Sequence, residues 1–425
     1  WLLYGILIPI YNVMRGDPFL LLKFIAPLLF GFNASGIYYF AAKALSWTPR
    51  KSLLAALFFS FQIAALGISW SYYRNLLGLG IFLFALPWIH ADLKSRRGLV
   101  FFALLSLLVV FSHELVSVTL FAVVLSILAG KFLRKRMKME VLKVSMTVFP
   151  ALAVFLISVY FVLFPAFMPI QRNVIMVYQP VGHYEGAFFF FTNYLTVYDT
   201  GQHYPAYLDL VSQVFSLFSV FYLIVMPVVL VGFFKDKILN SWSVLLLVGS
   251  FGAFVIPFFA LNMWHRWMRM LVYPFTFYAT NGIVRVLRSN SESVSPIFRW
   301  FRWVSLSKRA VKLILILSLS LGLLFMSTPL FFGRAGLFGL PTTTSYLPSS
   351  MLSNSIPLQD TDDAVNAMKW LNMEMSNSSV LLTHDAFLSW TELFLDSRHN
   401  KVYFKDDIYG AINVTLEKGF SPVYL

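Results

Sequence analysis

The chain has no cysteine, which excludes disulfide staples and thiolate metal sites. Charge is scarce too. Only 12% of the 425 residues are Asp, Glu, Lys or Arg, about half the share of an ordinary soluble domain. Acids are the scarcer sign, 19 against 33 bases, for a formal net charge of +14. A nucleic-acid-binding protein would gather such an excess into a patch or stripe. Here the bases sit in short stretches between apolar runs, so no nucleic-acid partner is expected. An initiator Met and a signal-peptide pattern are also missing: the chain opens on Trp1, and we expect a piece of a longer protein. What is abundant is apolar surface, 59% hydrophobic residues with 45 Phe and 11 Trp. That composition suits lipid contact and interfacial belts.

A helix crossing a bilayer needs roughly 20 apolar residues. Ten stretches qualify: Phe19–Leu45, Ser52–Trp70, Leu76–Ala91, Gly98–Ser112, Glu114–Gly130, Val144–Phe164, Leu210–Phe233, Ser241–Met263, Met268–Val286 and Val311–Leu330. Trp1–Met14 is too short to span and reads as a truncated span or an interfacial helix. The expected fold is therefore an all-α polytopic membrane protein of about ten transmembrane helices plus an interfacial helix. The loops after the odd-numbered spans hold 21 Lys and Arg, from Lys43 to Lys312. The opposite side, before the C-terminal segment, holds Arg15, Arg74, Arg172, Arg266 and Arg269. This alternation orients the protein, with the basic loops cytoplasmic. It also predicts a multi-pass membrane protein. Phe298–Trp303 reads as an amphipathic interfacial piece.

Composition changes after Leu330. Residues 331–359 are rich in Ser, Thr, Pro and Gly and read as a linker. Residues 360–425 alternate helix and strand patterns: a helix from Asp360 to about Met375, strands at Ser379–Thr383 and Lys401–Phe404, helices at Ala386–Leu395 and Ile408–Lys418, and a strand from Val423. That pattern predicts a small soluble α/β domain, which the topology places outside the cell. Residues 1–330 would form the membrane domain, with one long external loop at 165–209.

Charged residues on the external side are the candidate site. Arg266 and Arg269, with His265, lie between two long apolar runs, where charge topology gives a cation no reason to be. An anionic partner is one explanation; the other is a guanidinium snorkelling in the aromatic belt of Trp264, Trp267 and Trp70. Arg74 lies in another external turn, between the second and third spans. His113 and Glu114 occupy another external junction, where Glu114 would also be favoured by the helix dipole alone. In the long loop Glu185, Asp199 and His203 could line a site or simply be solvated. Asp17 reads as a turn and helix start.

Some of these motifs resemble a known family. Arg266-Trp267 followed by Tyr273-Pro274 is similar to the oligosaccharyltransferase pattern in which Arg-Phe precedes a Tyr/Pro-containing helix. Met368-Lys369-Trp370-Leu371, followed by Ser379-Val380-Leu381-Leu382-Thr383-His384-Asp385, resembles the start of the catalytic subunits' C-terminal domains, with Thr383-His384-Asp385 where those carry Trp-Trp-Asp. The long external loop and the external tail also look like the GT-C superfamily, the membrane glycosyltransferases that include protein mannosyltransferases, aminoarabinose transferases and oligosaccharyltransferases of archaea and bacteria. The resemblance implies an enzyme that moves a sugar from a polyprenyl-phosphate carrier to a glycan, lipid or protein acceptor on the extracytoplasmic face. It implies lipid-phosphate binding by Arg266, with Arg74, Arg269 and His265 beside it, and acceptor or site-lining roles for His113, Glu114, Glu185, Asp199 and His203. The family's catalytic acid would lie upstream of Trp1. The second external loop, Ser69-Trp70-Ser71-Tyr72-Tyr73-Arg74-Asn75, lacks the acidic pair that oligosaccharyltransferases use for a metal. No metal site is therefore expected, and Mg²⁺ or Mn²⁺ would enter only through upstream ligands. Oligosaccharyltransferase-like N-glycosylation, a flippase-like transporter and a non-catalytic accessory subunit stand as alternatives.

Overall fold

The structure is a computed structural model. It describes residues 2–14, 18–71, 73–91, 96–133, 138–163, 174–177, 207–255, 264–290, 293–294, 305–331, 361–384, 387–388, 391, 394–396, 398–404 and 407–425. The chain divides into two compact units: Trp1–Leu163 with Pro205–Arg334, and Phe164–Tyr204 with Ala335–Leu425.

The described part of the first unit is almost wholly helical. Its helices are α1 (Leu2–Met14), α2 (Pro18–Lys43), α3 (Pro49–Ser60), α4 (Ile63–Ser71), α5 (Tyr73–Ala91), α6 (Arg96–Ser112), α7 (Glu114–Leu133), α8 (Lys138–Leu163), α9 (Tyr207–Tyr222), α10 (Met226–Gly232), α11 (Lys237–Phe251), α12 (Trp264–Met270), α13 (Val272–Arg288) and α14 (Lys308–Phe331). A helix satisfies its own backbone polar groups, which an apolar surrounding demands. Leu, Phe, Val and Ile side chains then cover its outside. Many of them face outward: Leu28, Leu125, Met146, Phe149, Leu223 and Val248 are each at least 60% exposed. Outward apolar residues of this kind suit a lipid environment.

Among the described residues, three stretches are long and apolar enough to cross a membrane: Phe24–Lys43, Lys143–Tyr160 and Lys237–Phe254. Two bent pairs raise the number to five if each is one span. Ten spans were expected, so the described helices match that number only in part. The difference has a physical cause. Hydropathy registers apolar content and not direction, and several runs are broken. The run over Ser52–Trp70 turns by 67° between α3 and α4, and that over Leu210–Phe233 by 71° between α9 and α10. The run over Met268–Val286 is interrupted at Leu271, between α12 and α13.

Buried polar side chains staple these helices. Asn33 on α2 donates Nδ2 to the Leu76 carbonyl at 2.8 Å, and its Oδ1 accepts from Tyr273 Oη at 2.8 Å. Gln62, at the α3–α4 bend, donates to Thr276 Oγ1 at 2.9 Å. Tyr222 donates to the Met268 carbonyl at 2.6 Å. Interhelical bonds of this kind contribute around 0.6 kcal/mol each, up to about 1.7. Helices α10 and α13 approach to backbone contact. A Cβ at Gly232 would overlap the Tyr278 carbonyl, and one at Gly282 would overlap the Val228 carbonyl. Only glycine permits that approach. A two-stranded antiparallel ladder, β2 (Ser293–Val294) with β3 (Leu306–Ser307), closes the segment before α14. The interfacial piece expected at Phe298–Trp303 lies outside the described residues.

The second unit contains a parallel sheet of four strands in the order β1-β5-β4-β6. They are β1 (Val174–Val177), β4 (Val380–His384), β5 (Asn400–Phe404) and β6 (Val423–Tyr424). Helix α15 (Thr361–Glu374) precedes β4, and α16 (Ile408–Glu417) makes the crossover from β5 to β6, as parallel pairing requires. Asp407 caps α16 by accepting from the Gly410 amide at 2.7 Å. Successive residues of β4 serve opposite faces. Leu381 packs with Met368, Met375 and Leu395, whereas Val380 and Leu382 pack with Val402 and Ala411.

The strand and helix bounds of residues 361–425 follow the sequence expectation closely where they are described. Strand β1 does not. The sequence pattern places the long loop at 165–209 in the membrane domain and shows no strand in it, yet Val174–Val177 pairs with Lys401–Phe404. The partners are more than 200 residues apart in sequence, so no local period could reveal the pairing.

Candidate functional site

The site begins where α5, the α6–α7 junction and α12 end or start. Residues 113 and 114 follow directly on α6, whose last residue is Ser112. The His113 amide bonds back to the Val109 carbonyl at 3.2 Å, and Glu114 opens α7. At the start of α5, Arg74 reaches across to this junction. Its Nη2 donates to Glu114 Oε2 at 2.8 Å and its Nε to the Ser112 carbonyl at 3.5 Å. Two positions 40 residues apart are thus one ion pair.

His113 completes the corner. It is 6% exposed. Its Nδ1 accepts from the Leu115 amide at 3.1 Å, and its Nε2 lies 3.7 Å from Glu114 Oε1. An Nδ1 acceptor leaves the proton of the neutral ring on Nε2, directed at the carboxylate. Burial, with the positive charges of Arg74 and Arg266, lowers the imidazole to about 4 against the opposing pull of Glu114. The ring is therefore neutral at physiological pH.

Helix α12 supplies the other charges. Trp264, His265, Trp267, Met268, Arg269 and Met270 are buried, and Arg266 is half-buried. Arg266 lies near enough for its charge to act on both His113 and Glu114. Arg269 is fully buried, donates Nη1 to the Gly67 carbonyl at 3.3 Å, and stands over the Phe221 ring at 5.6 Å. Its own carbonyl accepts from Tyr222 at 3.2 Å. His265 is driven down to about 3 by burial first and then by Arg269 and Arg266, so it is neutral too. The constellation carries three guanidinium groups, one carboxylate and two neutral imidazoles.

Of the residues singled out from sequence, Arg74, His113, Glu114, Arg266, His265 and Arg269 fall in this group. Their arrangement separates them. Arg269 is locked in the interior against α4 and α9, so it does not snorkel. Arg74 is committed to Glu114. Arg266 is the arginine with partial exposure on α12. Glu185, Asp199, His203 and Asp17 lie outside the described residues. Among the described residues no three His, Asp or Glu side chains gather as a metal group. Sequence reasoning missed the pairing of Arg74 with Glu114, although both sit at ends of apolar runs that the charge count assigns to one side, and that shared assignment was the available signal. It gave no site role to Asn75, 2% exposed beside Arg74, and placed Trp267 only in an aromatic belt. Asn75 Oδ1 and Trp267 Nε1 are buried with no hydrogen-bond partner among the described residues.

An apolar cavity of about 270 Å³ lies between α2, α5 and α6, lined by Phe32, Tyr39, Ile81, Phe84, Trp88 and Leu105. Its α5 residues start seven positions beyond Arg74, roughly 10 Å along the helix, so it is separate from the charged corner. No protein-family model and no curated protein matches the chain.

Proposed function

We propose that the chain is a polytopic membrane glycosyltransferase of GT-C type, taking a sugar from a polyprenyl-phosphate donor on the extracytoplasmic face. The observation that carries this reading is the convergence of Arg74, Glu114, His113 and Arg266 from three separate elements at one set of helix ends. The chemistry required is limited. The bond between the anomeric carbon and the phosphate oxygen breaks, the acceptor oxygen takes its place as its proton passes to a general base other than Glu114, and the electron pair leaves with the polyprenyl phosphate. The departing dianion needs cations held in a partly dry place. A guanidinium offers a fork of donors to it. Arg266 has that role, backed by the buried charge of Arg269. Glu114 is held by Arg74, which makes its carboxylate a poor base and a good hydrogen-bond acceptor. It therefore positions an acceptor hydroxyl. In this reading the helices make ten crossings, and residues 360–425 lie outside.

The test is transfer from a labelled polyprenyl-phosphate sugar by the full-length protein at matched membrane levels. A charge-assisted hydrogen bond contributes roughly 1.5 to 3 kcal/mol, so Arg266→Ala is expected to lose about tenfold or more, at 1.36 kcal/mol per tenfold. Arg266→Lys is expected to recover part of it, since an ammonium lacks the fork. Wild-type transfer by Arg266→Ala would refute the assignment.

A further inference from the structure

The Lys- and Arg-rich side of the helices carries a second group of charges, unrelated to the corner just described. Lys51, in the first turn of α3, donates Nζ to Asn281 Oδ1 at 2.7 Å and lies 3.8 Å over the Trp47 ring. Asn281 belongs to α13 and donates Nδ2 to the Gly232 carbonyl at 2.8 Å. Arg285, one turn on, donates Nη1 to the Val231 carbonyl at 2.9 Å. Arg288, three residues further, shares that stripe of α13, and its charge acts on Lys51. Lys51 thus bonds Asn281 directly, and Arg285 and Arg288 follow that asparagine on the same helix.

Helix dipoles explain part of this. Arg285 and Arg288 stand in the last turn of α13, where cations are favoured. Lys51 is the opposite case. It sits in a first helical turn that has no acidic residue, where the dipole disfavours a cation. Asp236, in the α10–α11 turn, is engaged as the cap of α11, accepting from the Leu239 amide at 2.9 Å. The frame is rigid, because Gly232 and Gly282 bring α10 and α13 into backbone contact. The backbone of α13, which carries Asn281, Arg285 and Arg288, is therefore held against α10. The Trp47 ring beneath Lys51 meets Phe234 and Phe277 at centroid distances of 6.1 and 6.2 Å, which marks the edge of the apolar zone.

We propose that Lys51, Arg285 and Arg288 form a seat for the phosphate headgroup of an anionic membrane lipid, with Trp47 at the interface. Basic pockets between helices on the cytoplasmic side take such headgroups, and the adjoining apolar helix faces take the acyl chains. The proposal rests on the membrane residence argued above and is independent of glycosyl transfer.

The experiment titrates the full chain, purified in dodecyl maltoside, by native mass spectrometry. The probes are dioleoylphosphatidylglycerol, dioleoylphosphatidylcholine and inorganic phosphate. Phosphatidylglycerol is expected to bind at least tenfold more tightly than phosphatidylcholine. Lys51→Gln and Arg288→Gln should each remove most of that preference. Lys51→Arg should keep it and shows that the frame is intact, and Lys143→Gln, in α8, should leave it unchanged. Equal binding of the two lipids, or an undiminished preference in both glutamine variants, overturns the proposal. Displacement of phosphatidylglycerol by equimolar inorganic phosphate also overturns it, by making the seat one for a free anion. Recovery of the chain in the soluble fraction without detergent would instead sink the membrane reading itself.

Discussion

Removing Arg74 should damage the site through its neighbour more than through lost stability. The Arg74–Glu114 pair is 2.8 Å long, but its side chains are 38% and 59% exposed. A pair so exposed contributes about 0.2 to 1 kcal/mol. Arg74→Met should therefore lower the thermal midpoint by no more than about 4 °C. Its effect on chemistry should be larger. Glu114 is within the electrostatic reach of Arg266, and once Arg74 is gone the carboxylate has one competing guanidinium fewer. It then neutralises Arg266, the group assigned to the departing phosphate. Loss of that charge-assisted interaction, about 1.5 to 3 kcal/mol, corresponds to a fall of about ten- to a hundredfold in transfer. The double variant Arg74→Met/Glu114→Gln removes the competing carboxylate as well and should recover much of the loss. Binding of the lipid phosphate and transfer of its sugar are read in parallel on Arg74→Met, Glu114→Gln, the double variant and the wild type. The coupling between the two substitutions is the quantity of interest. A double variant no better than Arg74→Met alone would refute the reasoning.

Three further outcomes follow from the same geometry. A cysteine at Met373, which is 77% exposed in a chain with no native cysteine, should react with an impermeant maleimide on intact cells; labelling only after lysis would reverse the proposed sidedness. Tyr273→Phe leaves the buried Asn33 Oδ1 without its donor and should lower the thermal midpoint in detergent by an amount corresponding to about 0.6 to 1.7 kcal/mol, while an unchanged midpoint would show that the staple carries no stability. His113 should make stability pH-dependent. Its folded value, about 4, lies below the ordinary 6.5, so between those two pH values the unfolded chain takes up a proton that the folded one does not. Stability is then retained above pH 6.5 and falls as the pH drops through this window, by up to about 1.4 kcal/mol per unit. His113→Asn keeps an acceptor for the Leu115 amide and cannot titrate, so its midpoint should slope less between pH 7 and 5; equal slopes would contradict the burial argument.

The apolar helices were legible because lipid-compatible composition leaves a dense local signal. Their breaks were not. Gln62 and Leu223–Val225 sit inside runs that score as continuous, and the bends become visible only through partners such as Thr276, distant in sequence. The α/β segment was legible because strand and helix periods alternate there, with Asp407 as a helix-start signal. Strand β1 was hidden because pairing is a non-local property of four unremarkable apolar residues. In the site, residue types at external junctions pointed to Arg74, His113, Glu114 and Arg266. Their division of labour depends on burial: Arg269 and Arg266 are three residues apart with the same chemistry, and only the packing of α12 against α4 and α9 buries one and leaves the other partly exposed.

The central claim is that Arg266 holds the phosphate of a polyprenyl-phosphate lipid. The direct measurement is equilibrium binding of a radiolabelled polyprenyl phosphate, without sugar, to the full-length protein in detergent, compared among wild type, Arg266→Ala and Arg266→Lys. The account expects saturable binding to the wild type, at least tenfold weaker binding to Arg266→Ala, and an intermediate affinity for Arg266→Lys. Equal affinities in all three proteins would contradict it.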